Sequence, residues 1–445
     1  MRTVGDITGT LTIASLVVVV VLWLQAGNIR DFGVLGGAAT ALARLAGLLS
    51  SDLLLIQVLL MARIPWVERV WGQDELTRRH RLLGFTSFWM MCLHIIGIIV
   101  GYAQAAHEDL LVQGWNLLVD YPGMLLAGAG TVAILAVVVT SIRHARRRIR
   151  YSSWHLIHLY AYLGVGLALP HQVWTGADFI GNAWARAYWW ALYAAVAASV
   201  LGFRVALPLA RSWRHRLTVT KVVQEGPGVV SVYLGGRHLD QLGVRAGQFF
   251  LWRFVDGTGS SRAHPFSLSA PPHTGELRIT AKSLGTGSAR LAALKPGTRA
   301  LVEGPYGRLT GAVRTQRRLV FITAGIGITP MRALLEELDY GPGEATLIHR
   351  TRGPHDVVFA QEITDLARDR SIRVLHLPGP RNPLAGTWAP AGHSSSAAAL
   401  LELAPDLATS DVYLCGPDDW MRAVRTTARA AGVPARQIHS EYFSY

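Results

Sequence analysis

Six apolar stretches crowd the first half of this 445-residue chain, near 8–26, 35–62, 82–102, 121–142, 154–174 and 184–207. Each is about as long as the roughly 20 residues a helix needs to cross a hydrocarbon layer. Such runs constrain the fold strongly, because lipid offers no hydrogen bonds and a helix satisfies its own backbone. The composition agrees: 51% of residues are hydrophobic and 16% charged, where soluble domains carry about 25% charged residues. The net charge of +14 would suit a nucleic-acid binder, but the arginines sit beside the apolar runs. Arg63, Arg69, Arg78, Arg79 and Arg81 follow the second run, and Arg143, Arg146, Arg147, Arg148 and Arg150 follow the fourth. The opposite loops hold little beyond Arg30 and Arg186. The positive-inside rule then predicts a multi-pass protein of the cell membrane, with the N-terminus and everything after the sixth run cytoplasmic. The first run lacks a small-residue cleavage site and reads as a true span. Two distant cysteines, Cys92 and Cys415, exclude a disulfide framework, a four-cysteine zinc site and an iron–sulfur module.

After about Arg211 the texture changes. Between 216 and 310, short alternating runs separated by glycine and proline predict a small antiparallel β-barrel. From 318 onward, strand-like runs alternate with helical ones, the pattern of a parallel α/β domain. The expected domains are therefore 1–211, 212–312 and 313–445.

Polar residues inside a membrane are costly and mark function. His80 and His94 lie fourteen residues apart on the third span, about 21 Å along a helix and nearly on one face. The fifth span carries His155, His158 and His171. His158 and His171 are again about 20 Å apart in rise, and Pro170 should distort the helix beside His171. Both spans run from cytoplasm to outside. His80 with His158 and His94 with His171 would ligate an inner and an outer haem b, with His155 the rival inner ligand. Arg44, inside the second span, would either pair with an outer-haem propionate or snorkel to the surface.

Four motifs follow in the second half. His264-Pro265-Phe266-Ser267-Leu268-Ser269 offers an aromatic wall, a small hydroxyl and a phosphate donor, as a flavin site needs. Lys282-Ser-Leu-Gly285-Thr286-Gly287-Ser288 is a glycine turn whose free N–H groups suit a pyrophosphate. Gly325-Ile-Gly327-Ile-Thr329-Pro330 sits between a strand and a helix, where a dinucleotide binds. Cys415-Gly416-Pro417 ends a later strand, where a nicotinamide could lie. Arg350 and Arg352 follow the second strand of the last domain, with no acid beside them. That tilts the donor toward NADPH over NADH, since arginine meets a 2′-phosphate.

In this order the motifs resemble the ferredoxin–NADP reductase superfamily, and residues from about 35 to 445 resemble the NADPH oxidase and ferric reductase family. The resemblance implies a six-helix transmembrane haem bundle, an FAD barrel and an NAD(P)-binding domain. His264, Phe266 and Ser267 would hold FAD; Lys282, Gly287 and Ser288 would meet its phosphates. Gly325, Gly327, Thr329 and Pro330 would cradle the nucleotide, with Cys415 and Gly416 near the nicotinamide. Phe443 would cover the flavin, with Tyr445 as a competitor. The GTGS turn departs from family relatives that carry an acid there, and no calcium-binding extension is expected. Electrons would pass outward to a small acceptor, dioxygen giving superoxide ranked just ahead of a ferric chelate. Glu108, Asp109, Asp120 and Asp178 on outer loops could attract ferric iron. No obligatory protein partner and no nucleic acid are expected.

Overall fold

The computed structural model describes residues 2–142, 145, 149, 151–181, 183–257, 263–272, 275–382, 384 and 386–441. Arg143, Arg146, Arg147, Arg148, Arg150, Phe443 and Tyr445 lie outside them. The chain divides into two compact units, one of residues 1–71 and 75–203, the other of 72–74 and 204–444.

The first unit is helical: α1 (Arg2–Gln25), α2 (Gly37–Leu60), α3 (Pro65–Trp71), α4 (Gln73–Ala106), α5 (Leu110–Asp120), α6 (Met124–Ser141), α7 (Tyr151–Trp174), α8 (Ala177–Ile180) and α9 (Ala183–Ser199). Each expected span is helical, but among the described residues four helical stretches are long and apolar enough to cross a membrane: Gly37–Leu60, Glu75–Ala106, Met124–Ser141 and Ala183–His215. Among the described residues α1 contributes the shorter apolar stretch Gly9–Gln25, and α7 is diluted by His155, His158, His171 and Gln172. α7 runs through Pro170 without a break. The expected outer loop at 102–120 is largely the helix α5, whose first turn is capped by the Asp109 carboxylate accepting from the Leu111 and Val112 amides.

Small residues let these helices meet closely, as they must where lipid supplies no hydrophobic drive for association. A Cβ on Gly97 would lie 2.7 Å from the Ala43 Cβ, which sets the α2–α4 seam. A Cβ on Gly130 would lie 2.8 Å from the Gly164 carbonyl oxygen, which sets the α6–α7 seam.

The second unit holds two sheets. The antiparallel sheet comprises β1 (Thr218–Gly226), β2 (Val229–Gly235), β3 (Phe249–Val255), β4 (His264–Ser267), β5 (Glu276–Lys282) and β6 (Arg299–Tyr306), in the order β4-β3-β6-β1-β2-β5. An isolated bridge, Leu268 to Ile279, links the chain just past edge strand β4 to edge strand β5. Alternation along β2 and β3 turns Val230, Val232, Phe250 and Trp252 into one buried cluster.

The parallel sheet comprises β7 (Arg318–Ala324), β8 (Ala345–Thr351), β9 (Arg373–Pro378), β10 (Ser410–Cys415) and β11 (Ile438–Ser440), in the order β11-β10-β7-β8-β9. Its near-continuous apolar strands bury both faces. Phe321, Leu347 and Tyr413 pack into one cluster, and Val320, Ile348 and Val412 into another. The Asp411 carboxylate, fully buried, accepts from the amides of Thr315 and Gln316 and from His439, tying the entry of β7 to β10 and β11.

Candidate functional site

In the helical unit the four candidate histidines form two levels on α4 and α7. The rings of His80 and His158 have centres 6.0 Å apart. A metal bonded to both at about 2 Å would set the ring centres roughly 6 Å apart. His94 and His171 are near enough to interact electrostatically. On α4, Nδ1 of His80 lies 3.1 Å from the Gln57 carbonyl oxygen, and Nδ1 of His94 lies 2.9 Å from that of Ala43. Both carbonyls belong to α2. A bond of this kind places the proton on Nδ1 and leaves the Nε2 lone pair free for a metal. Gly47 makes the second bond feasible, since a Cβ there would lie 2.5 Å from the His94 Nδ1. On α7, Nδ1 of His158 is 3.5 Å from the Ser141 hydroxyl, and Trp154 Nε1 donates to that hydroxyl. His155 is exposed, one turn away.

These residues fit a haem ligated on both sides: two paired rings, one free nitrogen directed on each α4 histidine, and a glycine that leaves room. Among the described residues no three His, Cys, Asp or Glu gather as a metal cluster. Arg44 donates from Nη1 to Asn28 Oδ1 at 3.2 Å and lies 4.0 Å from an Asp31 oxygen. It is thus engaged with acceptors in the segment that precedes α2.

In the second unit, the expected flavin and nucleotide residues come from distant segments. β4 pairs with β3 so that Ser267 lies opposite Phe249, Phe266 opposite Phe250 and Pro265 opposite Leu251. Ser267 is buried. The His264 ring packs directly on Gly287, where a Cβ would collide with it. This joins the flavin strand to the glycine turn. Ser288 accepts from the Leu284 amide and donates to the Gly285 carbonyl, so its hydroxyl closes the turn itself. Lys282 ends β5, opposite Val229.

The nucleotide turn follows β7. Gly325 takes a φ of 55°, a left-handed conformation that glycine adopts without strain. Gly327 abuts the backbone of Cys415 and Gly416, where no side chain would fit. Thr329 is buried and its hydroxyl donates to the Ile326 carbonyl, closing the turn that leads through Pro330 into the helix Ile328–Glu337. Cys415 is buried at the end of β10. Burial, reinforced by the Glu441 carboxylate, holds its thiol well above the usual range. That environment favours the thiol over the thiolate.

At the end of β8, Arg350 has Nε and Nη2 buried without a hydrogen-bond partner. Burial, then the nearby charges of Arg381 and Arg352, lower its affinity for its proton. The three guanidinium groups are thus near enough for their charges to act on one another. No spacing pattern pointed to Arg381, which comes from the segment after β9. None pointed to Glu441 either: that side chain is buried and aimed at Gly307, with the Leu309 amide donating to it. Glu441 is two residues before Phe443, and that proximity was its signal.

Arg278 on β5 was also missed. It donates to both oxygens of Glu362, at 2.7 and 2.9 Å, and to the Ser269 carbonyl at 2.8 Å. Arg332, from the helix after the nucleotide turn, reaches Glu362 and the same Ser269 carbonyl. The last residue of the flavin motif is thereby tied to the helix that follows the nucleotide turn and, through Glu362, to the helix Ala360–Arg370 that follows β8.

Comparison with known proteins matches residues 46–169 to the family described as ferric reductase like transmembrane component, and 321–426 to the oxidoreductase NAD-binding domain. The chain thus carries an oxidoreductase NAD-binding domain behind a ferric reductase-like membrane component. It combines that membrane component with a C-terminal half like ferredoxin reductases. The second half is 31% identical over 205 residues to the ferredoxin reductase component of 3-ketosteroid-9-alpha-monooxygenase from Mycobacterium tuberculosis, covering 44% of this chain and 54% of that protein. It is 25% identical over 236 residues to the glycine betaine monooxygenase reductase subunit of Pseudomonas aeruginosa, covering 52% and 64%. The chain thus spans between about half and two thirds of the length of these relatives. Among solved structures, the FAD/NAD-binding domain of nitric oxide dioxygenase from Vibrio cholerae aligns with 51% of this chain and 97% of its own, at 26% identity and a TM-score of 0.41.

Proposed function

We propose that this ferric reductase-like oxidoreductase carries electrons from NADPH, through FAD in its second unit, to two haems b in its membrane unit, and on to an acceptor at the outer face. FAD takes a hydride and releases electrons singly, and bis-histidine haems accept one each; that chemistry belongs to the cofactors. The protein's part is placement. His80 with His158, and His94 with His171, would supply axial nitrogens at two levels. Gln57 and Ala43 would hold the α4 rings in the ligating tautomer. His264, Pro265, Phe266 and Ser267 would line the flavin, with Lys282, Gly287 and the turn closed by Ser288 beside its phosphates. Gly325, Gly327, Thr329 and Pro330 would admit the dinucleotide, and Cys415, Gly416 and Phe443 would border the nicotinamide and flavin rings. Arg350, with Arg352 and Arg381, would meet a 2′-phosphate, which favours NADPH over NADH. The observation that carries the reading is the 6.0 Å pairing of His80 and His158, with both α4 rings bonded through Nδ1 to α2.

The proposed placement is multi-pass in the cell membrane, with the flavin and nucleotide sites cytoplasmic. With two histidines to hold each haem, the acceptor would receive electrons without binding the iron. Dioxygen, giving superoxide, is the acceptor we favour. The acids proposed to draw ferric iron are partly committed elsewhere: Asp109 caps α5, and Glu108 accepts from Asn116. Arg44, tied to Asn28 and Asp31, is not a free charge beside the outer haem, which keeps ferric-chelate reduction as the second reading. NADPH-driven cytochrome c reduction in detergent, with and without superoxide dismutase, separates them. Sensitivity to dismutase is the expected result. Dismutase-insensitive reduction with fast anaerobic reduction of a ferric chelate would replace dioxygen by ferric iron.

A further inference from the structure

Asp52 stands in the middle of α2, a helix long and apolar enough to cross a membrane, and is fully buried. On the same helix it lies between Ala43 and Gln57, whose carbonyls hold His94 and His80. Its side chain contacts α1 and α9, in a seam formed by Val19, Trp23, Leu48, Leu55, Trp189 and Val196. Oδ1 accepts from the Ser15 hydroxyl at 2.8 Å and from the Tyr188 hydroxyl at 2.5 Å. Oδ2 is buried with no hydrogen-bond partner.

Among the described residues no cation pairs with this acid. From α1 the facing polar group is Ser15, and from α9 it is Tyr188, the titratable group that touches the carboxylate. Along α2, Arg44 is eight residues away, about 12 Å in rise, and is occupied by Asn28 and Asp31. Tyr193, further along α9, donates instead to Gln172. Two hydroxyl donors on one oxygen support a carboxylate, whereas an unpaired charge in an apolar seam costs several kcal/mol. The two effects oppose each other, so a modest change in nearby charge tips the balance. The orphan Oδ2 is the atom ready to take a proton.

We propose that Asp52 is a redox-linked proton site: it takes up one proton from solvent when an electron is placed on a haem held by the α4 and α7 histidines, and releases it on reoxidation. The Oδ2–H bond forms as one negative charge arrives, and breaks as it leaves, so charge inside the membrane unit stays level. Ser15 and Tyr188 position the carboxylate and set the pH at which it responds. This rests on the haem reading above.

The test is a spectroelectrochemical titration of the purified holoprotein between mildly acidic and mildly alkaline pH, for wild type, Asp52→Asn and Tyr188→Phe. The wild-type haem midpoint should fall as pH rises, and Asp52→Asn should lose that slope while keeping the haem spectrum and content of the wild type. Tyr188→Phe, which removes a donor to the carboxylate, should move the slope to higher pH without abolishing it. Infrared difference spectra should show a protonated-carboxyl band on reduction that Asp52→Asn lacks. A pH-independent wild-type midpoint, or a slope and band unchanged in Asp52→Asn, overturns the proposal. A wild-type protein without haem would instead overturn the haem reading. If Asp52→Asn does not fold, the direction of the Tyr188→Phe shift and the wild-type carboxyl band still decide.

Discussion

The two units build their sites in different ways. In the membrane unit, four histidines on two helices create two levels, and the spacing along each helix sets the separation. In the second unit, β4, the Gly285–Ser288 turn, the turn after β7, the end of β8 and the end of β10 each contribute a few residues. A helix fixes its own geometry, so its site can be read from one stretch of chain. A site at the ends of strands exists only once the strand order is known. The two designs should therefore fail differently: the first in whole steps, the second by degrees.

The largest effects belong to the membrane unit. His94→Ala or His171→Ala should remove one haem and leave the other, and His80→Ala or His158→Ala should disturb the other level. Haem content per chain, from the pyridine haemochrome, reads this. Loss with His155→Ala but not His158→Ala would move the inner ligand by one turn.

Next comes Gly47→Ala. The added methyl would meet the His94 ring 2.5 Å from Nδ1, so the ring must leave the Ala43 carbonyl. The expected outcome is a marked loss of the His94-level haem with the His80 level retained. Unchanged content would show that the ring has slack.

In the second unit, Arg350→Ala should shrink the NADPH-to-NADH preference in kcat/KM about 10- to 100-fold, since a hydrogen bond to a charged group contributes about 1.5–3 kcal/mol. Arg381→Ala should act in the same direction and less strongly, because it is exposed. An untouched preference would make these ordinary loop charges.

The smallest expected change concerns Asp411. Burial alone would raise its proton affinity, but the His439 ring and the Gln316 and Thr315 amides outweigh this and hold its carboxyl below the usual range. A depressed carboxyl adds stability above its unfolded value of about 3.9, lost as pH falls through the lower folded value. Asp411→Asn should cost about 1–3 kcal/mol near neutrality and flatten that acid limb, as read by denaturant unfolding of the C-terminal half at several pH values.

The same contrast governs how much was legible in the sequence. The histidine levels were, because a period of 3.6 residues and a rise of 1.5 Å turn sequence distance into position. The parallel sheet and the glycine turns were too, because each is a local pattern of strand, turn and helix. The α5 helix was not foreseen: Leu110–Asp120 lies in what read as a loop, and the acid read as a ferric attractor, Asp109, is its cap. Arg381 and Glu441 were invisible for a topological reason. Only the pairing of β8 with β9, and of β10 with β11, brings them to Arg350 and Cys415. Arg44 shows the limit of reading a charge inside a span, since its partners Asn28 and Asp31 come from the turn before its own helix.

The most direct test of the whole account is an anaerobic NADPH titration of the purified chain and its four single histidine variants, followed in the visible range. The expected result is flavin together with two haems in the wild type, both reduced by NADPH, and one haem fewer when a level loses a ligand. Haem content identical in the wild type and all four variants, or haem that NADPH does not reduce, would contradict it.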